Sequence, residues 1–299
     1  MQALWMILAA VFFATMAVCV KFASAWFNAS ELVFYRGLIG MLFMGLIARQ
    51  QNISLKTAYP GMHAWRSTVG VLSLGAWFYS IGYLPLATAM TLNYMSSVWI
   101  ATFLVGGALL AWTPRNGMAT PLRQGPLVLT VLAGFAGVVM MLRPAIEQNQ
   151  MFAGVVGLLS GFMAAFAYMQ VMVLGKLGEP VTRTVFYFAM GSALAGAGGM
   201  VVTGVSTWNW VHALWLLPVG LLASLGQMCM TRAYSHGATL VVANLQYSGI
   251  VFGALYGMLL FDDQLPLTGW LGMALIVASG ILATVLRERA TTNAPAEEH

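Results

Sequence analysis

The sequence predicts an all-α integral membrane protein of ten transmembrane helices, arranged as two inverted five-helix repeats. Three observations predict it. Of 299 residues, 60% are apolar and only 7% are charged, against about 25% charged in a soluble domain. The apolar residues form continuous runs near the about 20 residues a spanning helix needs, not the alternating stretches of about 10 residues that build outer-membrane barrels. Finally, motifs of the first half recur in the second. The formal net charge of +5 is small and dispersed, so it gives no footprint for nucleic acid.

The expected helices cover residues 3–21, 31–48, 65–84, 86–110, 125–143, 152–174, 183–204, 211–232, 238–261 and 266–286. The first run, Ala3 to Val20, closes at Lys21. The Ala23-Ser24-Ala25 triplet after it mimics a signal-peptidase site. No charge precedes the run, and its length is large for a cleaved signal, so it is read as a retained span. The second helix lies between Glu31 and Arg49. Pro85 divides the third from the fourth, and Pro114, Pro121, Pro144, Pro180 and Pro266 stand in or beside the other breaks, as proline does where a helix must stop. Pro218 falls inside the eighth run, as a first-turn proline or a mild kink. The ninth run ends at Asp262-Asp263 and the tenth at Arg287.

Positive charge sets the expected orientation. With the amino terminus inside, the cytoplasmic loops and tail hold Arg49, Lys56, Arg66, Arg115, Arg123, Lys176, Arg183, Arg232, Arg287 and Arg289, ten in all, against Lys21 and Arg143 outside. Both termini are therefore expected in the cytoplasm.

A shift of 151 residues superimposes Ala87-Thr88, Asn93 and Ser97 on Ala238-Thr239, Asn244 and Ser248, and Gly75, Tyr83 and Gly106 on Gly226, Tyr234 and Gly257. A shift of 152 places Val33-Phe34-Tyr35 on Val185-Phe186-Tyr187. Five spans per half is odd, so the halves must cross in opposite senses, as in carriers that work by alternating access. The expected units are residues 1–148, residues 149–288 and a polar cytoplasmic tail, 289–299.

The ten helices, the paired halves, Phe34-Tyr35-Arg36 and the Ala-Thr signature opening helices four and nine resemble the drug/metabolite transporter superfamily, EamA type, over about residues 3–287. Within it the chain is most similar to bacterial inner-membrane exporters of amino acids, the aromatic amino-acid group in particular. The resemblance implies a multi-pass inner-membrane transporter that exports amino acids, aromatic and hydrophobic ones included, or related metabolites, by alternating access around a central cavity.

The candidate substrate-binding residues are Arg36, Tyr79, Tyr83, Asn93, Ser97, Trp99, Tyr168, Asn244 and Ser248. Ionisable groups inside a membrane are expensive and functional by default. Arg36 either faces the cavity and meets a substrate carboxylate, or snorkels to the interface. Asn93 and Ser97 share a helix face, repeated by Asn244 and Ser248. They either line the cavity or link helices. Tyr79 and Tyr83 also share a face, and with Trp99 and Tyr168 they are either cavity wall or interfacial anchors. Trp26, Trp65, Trp208 and Trp210 suit the anchoring role. The glycine stripes 249/253/257 and 191/195/199 (with Ala195) read as close helix packing.

No phosphate loop, nucleophile motif, metal spacing or cysteine pair is visible, so no enzyme activity, cofactor or metal is expected. No Asp or Glu falls in mid-span, which argues for gradient-driven movement. The expected partners are a small-molecule substrate and the lipid bilayer, without nucleic acid, and a monomer is the expected form. The competing readings are a drug carrier, a passive channel, and a nucleotide-sugar carrier. The last would want several cavity Lys or Arg, where the sequence offers Arg36 alone.

Overall fold

The computed structural model describes residues 2–110, 129, 132–134, 136–137, 140, 150–237, 242, 245–264 and 266–292. Its helices are α1 (Gln2–Ala23), α2 (Ala29–Gln50), α3 (Pro60–Tyr83), α4 (Leu86–Tyr94), α5 (Ser96–Leu110), α6 (Met151–Lys176), α7 (Val181–Thr203), α8 (Trp210–Ala213), α9 (Leu216–His236), α10 (Ser248–Leu260) and α11 (Leu267–Thr292). Helical residues fall within all ten predicted spans, the fifth being represented by residues between 129 and 140. Among the described residues there is no strand. Five helical segments are long and apolar enough to cross a membrane. The bundle is a membrane architecture.

Local chemistry sets the boundaries. Asn28 and Glu31 form a reciprocal capping box at the start of α2, satisfying two otherwise free N–H groups. Pro60 opens α3 at a first-turn position, where its missing N–H costs nothing. This start is five residues earlier than the sequence reading of 65, and the difference matters below. Pro218 is the third residue of α9, hence a first-turn proline. The fourth predicted span is two helices, α4 and α5, separated at Met95.

Let the near face be the one on which α1 begins, and the far face the opposite one. The heart of the bundle is three antiparallel pairs: α2 with α7, α3 with α6, and α1 with α9. At the α2–α7 crossing a Cβ on Gly37 would collide with the backbone of Ala189 and Ala193. One on Gly196 would collide with the backbone of Phe34. Glycine at both positions lets the two helices touch main chain to main chain. Gly249 and Gly253 of α10 seat Tyr94 and Met90 of α4 in the same manner, so those stripes serve packing.

The perimeter is apolar and exposed, with Leu42, Leu46, Leu194, Val201, Val202 and Leu259 facing outward. A lipid-facing surface requires this. Trp26, Trp65, Trp208 and Trp210 are all exposed as well, as interfacial anchors are. Polar clasps close both ends of the α2–α7 pair. On the far face Glu31 accepts from the Ser206 N–H (2.9 Å) and hydroxyl (2.6 Å), and Asn28 donates to the Gly204 carbonyl. On the near face Glu179 accepts from Thr57 (3.0 Å) and Arg183 (3.2 Å) and pairs with His63 (3.2 Å). Arg183 also donates to the Ser54 carbonyl.

Candidate functional site

Arg36, eighth residue of α2, and Arg66, seventh of α3, are 3% and 1% exposed. Arg36 lies in one of the helices long and apolar enough to cross a membrane, and the two guanidinium carbons sit 5.0 and 3.7 Å from the same ring centroid, that of Phe188 on α7. Around them lies a cavity lined by Phe13 and Met16 of α1, Gly70, Ser73, Leu74 and Trp77 of α3, and Asn93 and Tyr94 of α4. Ala164, Ala167 and Tyr168 of α6, Phe188, and Gln227 of α9 complete it. The open space between these side chains amounts to about 40 Å³ in this conformation.

The lining is donor-rich. Arg36 reaches Ser192 at 3.4 Å, and Arg66 donates to the Gln227 side-chain oxygen at 3.1 Å. Arg36 Nε, Arg66 Nε and Nη1, Trp77 Nε1 and the Tyr94 hydroxyl have no hydrogen-bond partner among the described residues. No carboxylate is among the lining residues. Two buried guanidinium groups without a counter-ion are costly, and the Phe188 face returns part of that cost through cation–π attraction. The other cavity polar groups are committed. Asn93 donates to Ser160 (3.0 Å), Ser73 donates to the Ser160 carbonyl (2.8 Å), and Tyr168 accepts from Gln246 (3.3 Å) while stacking on Tyr234.

Of the nine residues expected at the site, Arg36, Asn93 and Tyr168 line this cavity. Tyr79 and Tyr83 do not. Their rings pack on each other at 4.6 Å and Tyr79 meets Phe152 at 5.9 Å, while Tyr83 is 60% exposed on the far side of α3. The two rings do share a face, but it is a different face from the one that carries Ser73 and Trp77, turned about a third of the way around α3. Trp99 packs with Phe103 and Phe162. Ser97 bonds Tyr247, and Ser248 turns back to the Leu245 carbonyl. Asn244 lies outside the described residues.

Arg66 and Gln227 were not expected. Arg66 was counted among the face charges because the third helix was started at 65. With α3 starting at Pro60 the residue is a full turn and more inside, and the charge asymmetry becomes nine against two. The proline-glycine pair at 60–61 was the available signal. It also removes the objection that Arg36 is the cavity's sole cation.

The sequence profile of the EamA-like transporter family matches residues 1–106. The pseudopaline exporter CntI of Pseudomonas aeruginosa is 33% identical over 282 residues, 93% of this chain and 92% of that protein. The chain belongs to the EamA-like transporter family. It is a membrane transporter, and its family and relatives are transporters rather than enzymes. The riboflavin transporter of Vibrio cholerae is 26% identical over 286 residues, 93% of this chain and 90% of that one. One solved structure, at 18% identity, superposes with a TM-score of 0.70 over 97% of this chain and 98% of its own, which shows a shared fold.

Proposed function

We propose that this EamA-family protein is a secondary carrier that exports amino acids or related carboxylate-bearing metabolites across the bacterial inner membrane, by alternating access around the arginine-lined cavity. The observation that carries the reading is the pair of buried, incompletely partnered arginines, Arg36 and Arg66, facing one cavity deep in the bundle. Membranes tolerate such groups where they meet a substrate. The apolar wall of Phe13, Met16, Leu74 and Trp77 suits a hydrophobic or aromatic moiety.

Alternating access needs two exchangeable halves, and the helix pairings support them. Number the predicted spans one to ten and move each by five: the one–eight pair (α1–α9) maps onto the six–three pair (α6–α3), and two–seven maps onto itself. All three pairs occur. The helix interruption at Met95 recurs at Gln246 and Tyr247, 151 positions on. Arg36 and Phe188, equivalent at a shift of 152, touch at the centre. The near face, to which the expected topology assigns nine of the eleven loop and tail charges, is read as cytoplasmic, and the named exporter among the relatives supports outward transport.

Counterflow tests the mechanism. Proteoliposomes preloaded with unlabelled amino acids and organic acids should transiently accumulate external label. Equilibration without overshoot would mean a channel. Orientation follows from single cysteines in a background free of Cys19 and Cys229. Cysteine at Val205 should react with an impermeant reagent in intact cells and cysteine at Ala58 should not, and the reverse pattern would invert the topology.

A further inference from the structure

We infer that the central cavity is a binding site for a small dianionic oxyanion, carrying either two carboxylates or one phosphate. The inference rests on the carrier reading above and narrows its substrate.

The lining offers two guanidinium groups, the Trp77 N–H and the Tyr94 hydroxyl, and no carboxylate. A zwitterionic monocarboxylate amino acid brings one negative and one positive group. Its ammonium would enter a low-dielectric space next to two cations, with no opposing charge, and repulsion there is strong. A ligand with two negative charges matches both arginines and leaves none unpaired. Guanidinium suits this role, since its planar fork takes an oxyanion through two parallel hydrogen bonds. Donors remain for an anion: on Arg66, Nε and Nη1 have no partner and point from different edges of the guanidinium, while Nη2, which either two-bond fork shares, gives one of its two N–H groups to Gln227. On Arg36, Nε is free and Nη1 is tied to Ser192 by a long contact of 3.4 Å.

Among the described residues the arginines pair with no anion: Glu31 and Asp263 serve the far-face turns and Glu179 the near-face clasp, each with its own donors, and Asp262 is exposed in the loop after α10. The cavity cations therefore wait for an anion that arrives from solution. The Phe188 ring touches both guanidinium groups and so brings them to one part of the cavity, which favours an anion whose charges are separated or spread over several oxygens.

The test uses purified full-length protein in detergent at pH 8 and constant ionic strength, read by thermal unfolding and tryptophan fluorescence. The probes are succinate, glycerol 3-phosphate, L-phenylalanine and L-lysine. At least one dianion should raise the unfolding midpoint and change the fluorescence at millimolar concentration, while the zwitterion and the cation should not. Stronger protection by succinate assigns the two charges to carboxylates, and stronger protection by glycerol 3-phosphate to a phosphate. R36Q and R66Q should each weaken the dianion response at least tenfold, and R66K should weaken it less than R66Q because the charge remains. Protection by phenylalanine equal to that by the dianions, no response to either dianion, or an unchanged response in both glutamine variants would overturn the inference. Counterflow of monocarboxylates without dianion binding would sink this assignment and leave the carrier reading standing. Dianion binding without counterflow would do the opposite.

Discussion

Replacing Arg66 by methionine separates a ligand-binding arginine from a structural one. The side chain is 1% exposed, makes one hydrogen bond to Gln227 at 3.1 Å, and stacks 3.7 Å from the Phe188 centroid. A charged side chain costs up to about 3 kcal/mol at the centre of a spanning helix, and Arg66, seventh of the 24 residues of α3, lies short of the centre. Repulsion from Arg36, which touches the same Phe188 ring, adds to that cost. Against this stand about 2 kcal/mol from the charged hydrogen bond and about 2 kcal/mol from the cation–π contact. The opposing terms are of similar size, so the charge adds little net stability. Methionine fills similar volume and keeps the contact with Phe188, and water in the cavity can satisfy Gln227. The ligand-free variant should therefore unfold at the parent temperature or a few degrees above it, while losing the dianion response. Thermal unfolding in detergent, with and without succinate, measures both. A ligand-free variant less stable than the parent by more than about 3 kcal/mol, the lower end of the range for breaking a buried paired charge, would show that Arg66 holds the bundle together and that the reasoning is wrong.

Gly196→Leu should place a side chain inside the Phe34 backbone, costing at least the 1–3 kcal/mol typical of overpacking. Thermal unfolding and gel filtration would report it, and an unchanged midpoint would refute the close crossing. The near-face clasp predicts acid sensitivity. Burial raises the Glu179 carboxyl, but hydrogen bonds from Thr57, His63 and Arg183 outweigh it and leave the group below its usual value. A carboxylate depressed in the folded state stabilises fully above its unfolded-state value and loses that stabilisation as pH falls through the folded one. The unfolding midpoint should thus drop below about pH 4.5, and Glu179→Gln should flatten that part of the profile. An identical profile in the variant would exclude the clasp as the cause. Tyr79→Ala should cost about 1 kcal/mol of ring packing and leave the apparent affinity for the best-bound dianion within twofold. A tenfold loss would return Tyr79 to the site.

The span pattern was legible because each apolar run is uninterrupted, and a membrane admits one local structure for such a run. The position of a charged residue relative to the helix end was harder to read. Arg66 looked like a loop cation because a charge near a run's edge serves equally as a boundary marker and as a cavity group. Only the proline start of α3 decides between them. Arg36 stood further inside its run and could be singled out. Facing was the weakest inference. In water the polar side of a helix points outward, but here lipid and cavity walls both accept Tyr, Trp and Met, so the four-residue spacing of Tyr79 and Tyr83 fixed their shared face without fixing its direction. Gln227 gave no periodic signal at all, since a lone amide inside an apolar run is as common in helix packing as in a site.

The central claim is that the two cavity arginines draw a net anion through the membrane without a protonatable partner in the cavity. Its most direct test is transport in proteoliposomes whose potential is set by potassium and valinomycin, with and without an imposed pH gradient, using the labelled dianion that best protects the purified protein. Each charge moved is worth about 2.3 kcal/mol per 100 mV. Two net charges would shift the equilibrium distribution about 2,000-fold per 100 mV, since every 1.4 kcal/mol is about tenfold. The account predicts efflux that accelerates with an interior-negative potential and is indifferent to the pH gradient. Efflux that ignores the potential and requires the pH gradient would contradict it.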